Sequence, residues 1–360
     1  MDWQQLIPAP DSIPAAWGVF ESLDLLLFVA HILAVNVVVG GTLITLYSRL
    51  TGGSGDGYGS QLSCASEAVG NKIPVMFAIS VTMGVAPLLF VQVLYGHLLY
   101  SSSVLMALFW ILVIPGLIVG YYGAYVYRYQ QSSRPVLANA ALIVTGLIVL
   151  YIAFMFVNNM TLMLNPQKWI AYFDNRDGTI LNLDDPTVYS RYAHFVVASI
   201  AVASLFSAIV WRFRKQHSSS EEKGCLRHFG YATMVQVMVG FWLLMSLPRQ
   251  HMLLFMGGDG LMTGLLTAIL LLAMVLIMLA MRGKLWATVA ALVTTVVVMA
   301  TMRALLRAAY LSEFFSVTDL EVAGQYDVLA VFVVVLLAGG GACYYMARQA
   351  IAAWRRRVSQ

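Results

Sequence analysis

Charge is scarce in this chain of 360 residues: Asp, Glu, Lys and Arg together make up 11%, against about 25% in a typical soluble domain. That shortage excludes a soluble globular enzyme, a disordered chain and a nucleic-acid-binding domain. Cysteine is nearly absent. Cys64, Cys225 and Cys343 form no CxxC pair, and no CxxCH is present for covalent haem attachment. The first twenty residues lack a basic start, so no cleavable signal peptide is expected. What remains is apolar: 60% of residues are hydrophobic and the mean hydropathy is +0.80.

A membrane-crossing helix needs about 20 mainly apolar residues. Nine stretches qualify, at 24–48, 73–99, 104–127, 136–157, 190–211, 229–247, 261–281, 285–302 and 328–347. Unpaired backbone groups are costly in lipid, and no strand-like alternation is present, so the expected fold is all-α. Pro87 and Pro115 are expected to kink the second and third helices. Basic residues set the orientation. With the N-terminus outside and the C-terminus cytoplasmic, 15 of 21 basic residues fall inside, giving +11 on the inner face and −7 on the outer. The cysteines then lie toward the reducing side, where a disulfide is not expected.

This arrangement divides the chain into a four-helix bundle (1–163), an outer loop (164–189), a second four-helix bundle (190–304), and an outer segment, ninth helix and basic tail (305–360). The glycine-rich stretch 49–72 reads as a flexible inner loop. Residues 303–327, with Arg303 and Arg307, read as an outer segment. The outer-loop run FDNRDGTILNLDDP has the wrong glycine spacing for a calcium loop.

Asp, Glu, Lys and Arg are confined to the outer mouths of the nine stretches, at Asp24 in the first and Arg191 in the fifth. Ion-coupled carriers and proton pumps place ionisable groups near mid-membrane, so those classes recede. Histidine is what the stretches do contain: His31, His97 and His194, with His251 just beyond the sixth. All four fall toward the outer side. His217 and His228, among basic residues on the inner side, read as solvated or headgroup-facing.

A neutral imidazole can ligate iron through one nitrogen while the other takes a hydrogen-bond partner. Helical bundles hold haem with such ligands on facing helices. His194 is the first candidate axial ligand, with Met245 or His251 opposite. His31 is the second, with His97 or an open position opposite. Asn36, Gly40, Gly41 and Thr42 follow His31 and would admit a flat macrocycle or a neighbouring helix. Arg249, Arg303 and Arg307 could pair with haem propionates. The dipeptides Ala30–His31 and Ala193–His194 hint at an internal duplication.

The segment LLLFVAHILAVNVVVGGTLITLYSRL (25–50) resembles the first helix of the large subunit of cytochrome bd quinol oxidases, and YSRYAHFVVASIAVASLFSAIVWRF (189–213) resembles its fifth. More narrowly, GVAPLLFVQVLYGHLLYSSSVLM (84–106) is similar to a membrane family related to that subunit and associated with multihaem c-type cytochromes. The resemblance implies nine helices and haem ligation by His31 (high-spin) and His194 (low-spin b). It further implies quinol as electron donor and a bacterial cytoplasmic membrane location. The oxidase carries glutamates in its third helix, whereas ALFWILVIPGLIVGYYGAYVY (107–127) has none, and its long insert between helices six and seven is reduced to LPRQHMLLFMGGDG (247–260). Oxygen reduction is therefore not expected. The expected role is a subunit binding one or two b haems. It would pass electrons between membrane quinol and an outer-face partner, a multihaem c-type cytochrome or another redox subunit. A cofactor-free scaffold and a carrier of a neutral molecule are the rival readings.

Overall fold

The computed structural model describes residues 3–51, 58–214 and 218–358. It is 85% helical, and among the described residues nine helices are long and apolar enough to cross a membrane. The protein is an all-α, multi-pass membrane protein. The crossing helices are built on α1 (Trp17–Leu50), α3 (Ile73–Leu105), α4 and α5 (Ala107–Ile111 and Val113–Gln130), α6 (Pro135–Met163), α7 (Pro186–Arg212), α8 (Ser219–Ser246), α10 (Gly260–Met281), α11 (Leu285–Leu311) and α12 (Tyr326–Val358). A short α2 (Tyr58–Val69) precedes α3, and a single turn, α9 (Arg249–Leu253), follows α8. The end carrying the basic connections is called inner below, and the acidic end outer.

Helix starts follow local chemistry. Pro135 and Pro186 open α6 and α7, where a missing N–H costs nothing. Asp185 caps α7 by accepting from the Thr187 N–H, and Ser218 caps α8 by accepting from Glu221 N–H. Pro87 keeps helical backbone angles, and the break in α3 falls at Tyr95 instead (φ −131°). Pro115 lies in the first turn of α5, just past the α4–α5 joint.

Helix α1 packs on α3 and α6, and α5 packs on α6, forming a first group. Helices α7, α8, α10 and α11 form a second. The seam between them is α1 against α7. There Gly40 is needed for close approach, because a Cβ would collide with the Ser199 carbonyl. Ser199 Oγ donates to Asn36 Oδ1 across the seam at 3.0 Å. The offset joining that pair, 163 residues, also joins His31 to His194. So the small residues after His31 serve helix packing: Gly40 meets α7 and Gly41 meets Val69 of α2.

Two sequence expectations are corrected. The stretch 49–72 is not wholly a loop, since α2 is helical and buries Cys64, Ala65, Ala68 and Val69 against α7 and α8. Residues 52–57 of that stretch lie outside the described residues, as does His217. Arg303 and Arg307 are not on an outer segment but within α11, which runs on to Leu311. Apolar residues at helical spacing on both sides of Arg303 carry the helix through it.

Three segments close the outer end. Residues before α1 pair with the α11–α12 connection, with Ile13 N–H donating to Glu321 O at 2.8 Å and Ala323 N–H to Ile13 O at 2.8 Å. The 164–185 loop rests on the α3–α4 joint, where Gly178 adopts φ +67° and its carbonyl accepts from Leu108 N–H at 3.0 Å. Lys168 binds Asp184 at 2.7 Å and holds its carboxyl below the usual carboxylate range. Helix α12 stands apart from the groups, touching them near its outer end through Leu329 and Phe332.

Candidate functional site at the outer ends of the helices

His31 and His194 occupy equivalent places. Each lies on the first helix of its group, 19 and 18 residues from the inner end, so the two stand at matched heights. Each ring faces a glycine on the next crossing helix. Gly84 of α3 backs His31, and a Cβ there would lie 2.6 Å from His31 Cε1. Gly240 of α8 backs His194, with a Cβ at 3.5 Å from His194 Cε1. The His31 Nδ1–H donates to the Ser80 carbonyl at 3.0 Å, a geometry that leaves the Nε2 lone pair for another partner. His194 Nδ1 is buried with no hydrogen-bond partner. Both rings are half-buried.

Among the other candidate ligands, His97 and Met245 are not brought to these rings. His97 follows Gly84 by 13 residues on α3, about 20 Å farther outward at 1.5 Å per residue. It packs edge-on against Phe315, with centroids 4.6 Å apart, and its Nε2 is buried without a partner. It is not opposite His31. Met245 is five residues past Gly240, roughly 140° around α8, and is 77% exposed. Met238 is likewise exposed. The sequence pattern could not show this, because depth along a helix is legible but the face presented to a neighbour depends on packing. His251 is buried and stacked on Tyr310 of α11, with centroids 3.8 Å apart. Burial pushes its imidazole below the ordinary histidine range; Glu313 opposes this and Arg191 adds to it. His228, expected to be solvated, is buried in α8 and hydrogen-bonded through Nδ1 to Ser204 Oγ at 2.6 Å.

Around the imidazole layer lie cations. Arg307 Nη2 donates to Asp24 Oδ2 at 3.3 Å, both side chains being 6% exposed. Its guanidinium carbon lies 4.2 Å from the Tyr95 ring centroid. Arg303 lies 4.4 Å from the Phe28 centroid. Arg249, by contrast, is exposed beyond α8. Arg191 was not singled out by the sequence. It is three residues before His194, and its guanidinium lies 6.0 Å from the Tyr310 centroid. The signal was present as an arginine inside the fifth apolar stretch, one helical turn from the histidine. Among the described residues no group of three or more His, Cys, Asp or Glu converges as a metal cluster.

Donor chemistry at this level fits a b-type haem: an imidazole with one nitrogen tethered and the other uncommitted, glycines where a ring must pass close, and guanidiniums for acidic side groups. No family model matches the chain, and no curated protein or solved structure shows significant similarity to it.

Proposed function

We propose that this protein is a haem b-binding membrane subunit of a respiratory electron-transfer complex. It resides in a bacterial cytoplasmic membrane and passes electrons between membrane quinol and a redox partner on the outer face, such as a multihaem c-type cytochrome. One observation carries the reading: two imidazoles at matched height on equivalent helices, each against a glycine of the next helix. When bound, haem supplies reversible one-electron chemistry at iron. In this reading His31 and His194 would each hold haem iron through an imidazole nitrogen. The Ser80 carbonyl fixes the His31 tautomer, so that Nε2 keeps its lone pair. Gly84 and Gly240 keep side-chain atoms off the imidazoles. The absence of carboxylates from the third crossing helix argues for electron transfer without oxygen reduction.

A reduced-minus-oxidised absorbance spectrum of the purified protein tests this. A b-type band is expected in the wild type, lost or halved in His194→Ala and kept in His228→Ala. A folded wild-type protein without any haem band would refute the proposal.

A further inference from the structure

At the outer end three guanidiniums gather, and one carboxylate bonds a single one of them. Arg191 comes from α7, Arg303 and Arg307 from α11, and Asp24 from α1. Asp24 bonds Arg307 through a single nitrogen. Arg307 Nε and Nη1, and Arg191 Nε, are buried without an acceptor. Arg303 stands within electrostatic range of Arg307, Arg191 and Asp24. The nearby carboxylates do not complete the balance. Asp185 is taken up by Thr187 and Asn165, Glu313 is exposed, and half-buried Glu21, within electrostatic range of Tyr95, adds one further negative charge. Phe28, Tyr95 and Tyr310 lie against the three guanidiniums. The Tyr95 and Tyr310 hydroxyls also hydrogen-bond Arg307 and Arg191, and the N–H groups left over, Arg307 Nε and Nη1 and Arg191 Nε, are those open to a planar oxyanion. Three positive groups against two negative ones, Asp24 and Glu21, carry a desolvation penalty in apolar surroundings that an added anion would offset.

We infer that this cluster binds the acidic oxygens of a membrane-embedded ligand at the seam of α1, α7 and α11. Arg191, Arg303 and Arg307 donate to them, and Asp24 orients Arg307. The chemistry is a carboxylate pair or a phosphodiester, which the propionates of a porphyrin and the headgroup of an anionic lipid both offer. The inference stands on the arginines and does not require iron at the histidines.

Native mass spectrometry of the full-length protein tests it with four probes: protoporphyrin IX, its dimethyl ester, phosphatidylglycerol and phosphatidylcholine. The acid form of one pair is expected to be retained at least about tenfold over its neutral counterpart. Arg191→Gln and Arg303→Gln should each erase most of that preference, and Arg303→Lys should keep part of it. Preference for protoporphyrin over its ester identifies propionates as the anion. Preference for phosphatidylglycerol with no porphyrin retained upholds the anion site and assigns it to a lipid headgroup, leaving the haem reading to the absorbance spectrum. Equal retention of acid and neutral forms by the wild-type protein overturns the inference, even if a variant fails to fold.

Discussion

The inner and outer ends of this membrane bundle treat their polar groups differently. At the inner end the groups find partners. His228 bonds Ser204, Ser207 Oγ donates to Ala65 O at 3.2 Å, and Trp211 Nε1 donates to Cys64 O at 3.1 Å. Arg214 pairs with Glu67, and Arg212 with Glu222. Cys64 Sγ rests 3.3 Å from Cys225 Sγ, both free thiols. Among the described residues, the buried atoms without partners accumulate at the outer end, on Asp24, His97, Asn158, Asn159, Arg191, His194 and Arg307, with Asn139 and Gln236 the exceptions elsewhere. A native interior rarely leaves such groups unsatisfied. The inner end is therefore built for packing, and the outer end is the place to expect a ligand.

The sharpest way to break this contrast is to remove one charge from each end. Asp24→Asn should cost about 3–5 kcal/mol, because it strands a buried guanidinium. Glu67→Gln, in a pair whose glutamate is 65% exposed, should cost under about 1 kcal/mol. Thermal unfolding in one detergent compares them, and equal losses would remove the distinction between the ends.

The two buried histidines offer a second test. His228→Ala should destabilise by about 1–3 kcal/mol through the lost Ser204 bond, while leaving any haem band intact. His194→Leu should leave the stability of the cofactor-free protein within about 1 kcal/mol, since Nδ1 gives up no bond, yet diminish the band. The reverse pattern would place the function at the inner end.

Within the outer end, Gly84→Ala should destabilise by about 1–3 kcal/mol, because its Cβ meets the His31 ring. Gly240→Ala should fall within about 1 kcal/mol of neutral, since its Cβ makes an ordinary contact and alanine favours the helix. Melting temperatures and the His31-dependent part of the spectrum report both, and equal effects would mean the two seats are equally tight.

The smallest expected effect is that of pH. His251 is held below its ordinary range when folded, so the unfolded chain binds more protons as pH falls. Its contribution is complete above about pH 6.5, the ordinary histidine value, and is lost as pH drops toward the folded-state value. Between pH 7.5 and 5.5 the melting temperature should decline more in the wild type than in His251→Phe, which retains an aromatic ring for Tyr310. Parallel declines would assign the acid sensitivity to other groups.

Much of the candidate site was legible before folding was considered. His31, His194 and Asp24 stand out because a polar residue in an apolar stretch is conspicuous. Depth can be counted from the stretch ends, and the shared Ala–His dipeptide marked two helices that prove to cross at Asn36 and Ser199. Met245 and His97 stand away from these rings for different reasons: Met245 is turned to another face of α8, whereas His97 lies about 20 Å farther outward along α3 than Gly84. Arg303 and Arg307 were assigned to a segment outside the membrane because charge ends an apolar window. In the structure the Asp24 carboxylate and the rings of Phe28 and Tyr95 make burial tolerable.

By itself the sequence determined that the chain crosses a membrane in about nine helices. Backbone hydrogen bonding in lipid leaves long apolar segments no other form. Only the tertiary structure decided which polar groups meet. It set His31 on Gly84 and Ser80, set His194 on Gly240, and brought Arg307 of one helix to Asp24 of another, with Arg303 and Arg191 close by. Such meetings depend on side-chain contacts between helices as much as 283 residues apart in sequence, and hydropathy carries no record of them.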